Sequence, residues 1–97
     1  MSHYIILVNF TDQGIKNVKD SPKRAEAFKS AVEKKGGKVI NLYYTLGKHD
    51  IVAIVEAPND EAIASVLYVT GSLGNVRTKT LKAFPMSEAA NIIKNFP

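Results

Sequence analysis

Tyr4-Ile5-Ile6-Leu7-Val8, together with Ile51-Val52-Ala53-Ile54-Val55, decides the fold, because neither stretch alternates apolar with polar residues. Both are rich in β-branched side chains and too short for a typical helix, so both read as strands. A strand with one wet face alternates; a strand apolar at both parities is covered on both sides. Each of these strands therefore predicts cover above and below its sheet.

Outward from the first strand, Thr11-Asp12-Gln13-Gly14 supplies turn chemistry, and residues 15–18 suit a short helical turn. Ser21 followed by Pro22 predicts a helix start, with Ser21 as the cap. Ala25, Phe28, Ala31 and Val32 recur at helical spacing, and Gly36-Gly37 ends the run. Residues 39–45 read as a second strand, joined to the third by a tight hairpin across residues 46–50. Pro58-Asn59-Asp60-Glu61 stops the third strand and starts a helix capped by Asn59 or Asp60, with Ile63, Val66, Leu67 and Thr70 along its inner stripe. Residues 76–84 form a fourth strand ended by Pro85. Ser87 then caps a short helix carrying Ile92, Ile93 and Phe96.

The order is β-α-β-β-α-β plus a terminal helix over one domain, residues 1–97. It predicts a ferredoxin-like α+β fold with a four-stranded antiparallel sheet and both helices on one face. Two helices shelter only that face. The other must be covered by a second copy, in a homodimer closing an α+β barrel with higher oligomers left open, or by the terminal helix folding across it.

Composition narrows the function classes. The chain has 97 residues, 45% hydrophobic and 23% charged, which is globular rather than disordered. Cysteine is absent, so disulfides and thiolate metal sites are excluded and a cytoplasmic setting is expected. No apolar run nears the ~20 residues of a membrane span, and the start lacks a signal-peptide pattern. The net charge of +4 comes from lysines scattered over helices and turns, a solvated surface rather than a nucleic-acid footprint. With two histidines, His3 and His49, and no His-x-x-x-His pair, no metal site is expected. No phosphate loop or nucleophile elbow implies a cofactor or an acyl-transfer site.

His49 beside Asp50 is the candidate catalytic pair, an imidazole titrating near neutrality next to a carboxylate. Neighbouring strand residues point to opposite faces, so a purely structural role for Asp50 stands as the alternative. Glu56 shares strand parity with Val52 and Ile54, which would set its carboxylate among apolar groups. Asn9 interrupts the first strand, Tyr43 and Thr45 share one face of the second, and Thr78 and Thr80 alternate along the fourth. These are the candidate ligand-binding side chains of a partly polar barrel interior.

Leu46-Gly47-Lys48-His49-Asp50-Ile51-Val52, followed by Val55-Glu56-Ala57-Pro58, resembles the GYD domain family of small bacterial and archaeal proteins. The likeness extends to Tyr4, the Thr11 to Gly14 turn, Lys19-Asp20-Ser21-Pro22 with Arg24, and Val76-Arg77-Thr78 with Thr80-Leu81 and Phe84. Gly47 and Asp50 are present, while His49 stands where the family's tyrosine would fall. The resemblance implies a dimeric α+β barrel, an architecture shared by cofactor-independent monooxygenases, lactone isomerases, haem-handling enzymes and ligand-sensing regulatory domains. The functions in play are a barrel that binds a small organic molecule, with cofactor-independent proton-transfer catalysis open, and a non-enzymatic interaction or sensor module. RNA binding is disfavoured because the third strand offers no stacking aromatic.

Overall fold

The computed structural model describes Met1–Pro97. Its elements are β1 (Ser2–Phe10), α1 (Asp12–Lys16), a 3-10 turn (Val18–Asp20), α2 (Ser21–Lys34), β2 (Lys38–Tyr44), β3 (Ile51–Ala57), α3 (Asp60–Ser72), β4 (Val76–Ala83) and α4 (Met86–Lys94). The strands form one antiparallel sheet in the order β2-β3-β1-β4. The expected ferredoxin-like α+β topology is the one observed.

Register divides the sheet into two chemically different faces. Tyr4, Ile6 and Val8 of β1 pair with Val55, Ala53 and Ile51 of β3, and all six are buried beneath the helices. Val32 of α2 with Ile63 and Val66 of α3 completes this core. The opposite face carries Ile5, Leu7, Val52 and Ile54, which are half-buried, and Leu81, which is 51% exposed. In register, Ile5 lies between Ile54 and Leu81, and Leu7 between Val52 and Lys79, so these side chains form one apolar stripe across three strands. A bulge at Ile40 shifts β2 by one residue, so Asn41 and Tyr43 share this open face.

The terminal helix does not cover it. No residue of α4 is buried, and Ile92, Ile93 and Phe96 are 51%, 65% and 73% exposed. The molecule measures 50 × 30 × 18 Å. Its radius of gyration is 14.5 Å, against about 12.5 Å for a compact chain of this length.

Two cap assignments need correction. Ser21 already has helical backbone angles (φ −56°, ψ −42°), whereas a cap needs an extended backbone. Its buried hydroxyl shares a 2.8 Å hydrogen bond with the Tyr44 hydroxyl, tying α2 to the end of β2. Ser87 lies inside α4, and Pro85 precedes that helix without a side-chain cap. At α3 the choice resolves to Asn59: its backbone is extended, and its Oδ1 accepts the Ala62 N–H at 2.9 Å.

Candidate functional site

The polar end of the open face is built where β1 runs into the β2–β3 turn. Asn9 Nδ2 donates to the Lys48 carbonyl at 2.7 Å, which turns its Oδ1 toward His49 Nδ1, 3.0 Å away. An amide oxygen only accepts, so His49 Nδ1 is the donor in this bond, and Nε2 is left for a guest. Thr45 Oγ1 donates to the His49 carbonyl at 2.6 Å and holds the turn closed. Tyr43, 56% exposed and paired with Val52, borders the same face, as does Lys79, paired with Leu7.

Asp50 is not paired with His49. Its Oδ2 accepts the Phe10 N–H at 2.8 Å and its own N–H donates to the Val8 carbonyl at 2.9 Å. The carboxylate thus satisfies a backbone donor at the end of the ladder, a structural use. Glu56 does lie on the open face, as its parity predicts, but at the far end. There it meets His3, Nε2 to Oε2 3.3 Å, and is in register with Lys38. About 17 Å of strand separates Ile51 from Glu56, so the three candidate catalytic residues do not converge.

The ligand-binding candidates split as well. Thr78 pairs with Val8 and Thr80 with Ile6, both buried toward the helices, so these threonines lie on the helix side of the sheet, away from Asn9 and Tyr43. The open face instead receives Lys79 and Leu81 from β4. Arg77 is in register with Asn9, but its guanidinium reaches toward α3, 3.3 Å from where a Cβ on Gly71 would sit. Nowhere do three His, Cys, Asp or Glu side chains group as a metal site.

One polar cluster escaped sequence reasoning altogether. The Tyr4 hydroxyl donates to Asp60 Oδ1 at 2.5 Å, and Lys82 Nζ donates to the same oxygen at 3.0 Å. Burial, then the bond to Asp60, pushes the Tyr4 hydroxyl above its ordinary pKa. The Tyr4 bond, then Lys82, holds Asp60 below the usual carboxylate value, and Asp60 raises Lys82. These residues join the start of β1, the start of α3 and the end of β4. The signal available was the fit of Asp60 to a helix N-terminus, which says nothing about its distant partners.

The GYD domain family profile matches residues 4–93. A Thermus thermophilus protein named glutamine synthetase and cystathionine beta-lyase binding protein is 32% identical over 89 residues, covering 91% of this chain and 94% of its own. A crystal structure from the same organism superposes with a TM-score of 0.56 and 26% identity over 88% of this chain and 95% of that one. A feast or famine regulatory protein from M. tuberculosis, solved with L-methionine, gives a TM-score of 0.66 at 19% identity over 89% of this chain. The present chain spans about half of that protein, 52% of its length. No helix here is long and apolar enough to cross a membrane.

Proposed function

The chain belongs to the GYD domain family, and from that premise we propose that it is a non-catalytic binding module. Two copies meet through the open sheet face, and the Asn9–His49 end of that face holds a small organic molecule. The observation that carries this reading is the uncovered stripe of Ile5, Leu7, Val52, Ile54 and Leu81. These side chains keep part of their apolar surface in water, and hiding it on both copies is favourable at about 25 cal/mol per Å². Association itself costs ~4–15 kcal/mol, which this burial must offset.

Binding is favoured over catalysis because Asp50 is occupied by backbone and Glu56 lies at the far end from His49. What remains at the near end is a recognition set: the His49 Nε2, the Tyr43 hydroxyl and the Lys79 ammonium, suited to a polar molecule with an acidic group. Sedimentation equilibrium tests the assembly, with twice the chain mass expected and a single-chain mass at high concentration overturning it. Amino acids are the first ligand panel, since one structural neighbour was solved with L-methionine. The expected result is a raised melting temperature that is lost in His49→Ala.

A second reading has its own support in the relative named for binding two enzymes and in the exposed apolar residues of α4. In it, α4 recruits a protein partner. Calorimetry against the host's glutamine synthetase, with and without α4, separates the two readings.

A further inference from the structure

We propose that the cleft between α2, the end of α3 and the helix side of the sheet is a second site, for a small carboxylic acid with a compact apolar body. It lies across the sheet from the open face and does not depend on dimer formation.

The cleft has a volume of about 160 Å³ and opens to solvent on one side. Ile6, Val8 and Ala53 line it from the sheet and Phe28 from α2, all apolar, while the largely exposed Val69 of α3 and Leu73 just after that helix border it toward solvent. Its origin is legible in side-chain size. Ala53 stands in register between Ile6 and Leu42, a methyl between two four-carbon side chains. On α2, Ala27 and Ala31 line the cleft with equally short side chains. Protein interiors are close-packed, and wall atoms that face a void forfeit dispersion contacts. A chain this small has little stability to spare for such a space. A cavity of about 150 Å³ lined by Leu, Ile and Phe accepts benzene, so a phenyl ring or a branched alkyl group matches this one.

Charge selects the head group. Arg24 is the sole charged side chain lining the cleft, and no acid opposes it. Its Nη1 donates to the Asn17 carbonyl at 3.1 Å and its Nη2 to the Gly14 carbonyl at 3.4 Å. Those bonds pin the guanidinium at the corner between α1 and α2 while leaving others of its five N–H donors for a guest. A planar fork held in place fits a carboxylate. Thr78, in register with Val8, adds a hydroxyl from β4.

Phenylacetate is the probe, with toluene and benzylamine as its neutral and cationic counterparts, each titrated into the full-length protein. Amide NMR and thermal melting are the readouts. Phenylacetate is expected to shift the amides of Ile6, Ala53 and Thr78, to raise the melting temperature, and to bind at least about tenfold tighter than toluene. Benzylamine should bind most weakly. Arg24→Gln should reduce phenylacetate to the level of toluene without altering toluene itself, and Ala53→Leu should exclude all three. Should Ala53→Leu not fold, the charge series on the native chain decides alone. Equal affinity for the three probes, shifts confined to Asn9 and His49, or no shift at saturating phenylacetate would overturn the proposal.

Discussion

Tyr4, Asp60 and Lys82 show how single residues set the pH range of stability. The folded Asp60 carboxyl titrates below its ordinary 3.8, so its contribution is complete above that pH and is lost as pH falls through the folded value. Tyr4 and Lys82 titrate above 10.0 and 10.5, so their contributions are complete below those values and vanish as pH rises through the folded ones. Urea midpoints should therefore form a plateau with an acid and an alkaline limb, and Asp60→Asn should shallow both. Tyr4→Phe should cost about 1 kcal/mol at neutral pH. At the other end of the sheet, Asn9→Leu should free His49 to populate both tautomers, visible in its imidazole nitrogen shifts; unchanged shifts would remove Asn9 from the site. Much of this chemistry was legible only in part. Parity placed Tyr43 and Glu56 on the correct face, because alternation is local. It could not place Thr78 and Thr80, whose face depends on how β4 registers against β1. Nor could it reveal that Ser21 spends its hydroxyl on Tyr44, far away in sequence.

At the scale of elements, the turn after β1 is the joint that positions β4. Thr11 Oγ1 donates to the Gly74 carbonyl at 2.6 Å, the Thr11 N–H donates to the Asn75 carbonyl at 3.1 Å, and Gln13 Nε2 donates to Asn75 Oδ1 at 2.9 Å. Gly14 permits that approach, since a Cβ there would fall 1.9 Å from the Asn75 carbonyl oxygen. Gly14→Ala should cost about 1–3 kcal/mol, a melting drop of roughly 5–20 °C, with Thr11 and Asn75 the first amides to lose hydrogen-exchange protection. α4 is the opposite case. With nothing in it buried, deleting residues 86–97 should leave the melting of the isolated fold nearly unchanged. The elements themselves were readable where punctuation and period agreed, as at Gly36-Gly37 after α2, Asn59 before α3 and Pro85 after β4, while the caps read at Ser21 and Ser87 were not. The destination of α4 was not. Its apolar face is written in the sequence, but the surface that face meets is not.

For the whole molecule, the proposed pairing of copies poses one question: whether the open sheet face or the projecting helix would make the contact. Ile5, Ile54 and Leu81 form the centre of the face in register, and each lies on the side away from the core. A lysine at Ile54 can extend its ammonium to water in a single chain, but in a face-to-face pair it would be buried without a partner. Ile54→Lys should therefore give a folded monomer with native circular dichroism, while the chain lacking residues 86–97 stays a dimer. If the truncation dissociates the protein and Ile54→Lys does not, then α4 is the interface and the sheet face is free for another partner. The ligand reading at Asn9 and His49 would then lose its enclosing wall, whereas the cleft beside Arg24, formed wholly within one chain, would keep its carboxylate preference in every one of these variants.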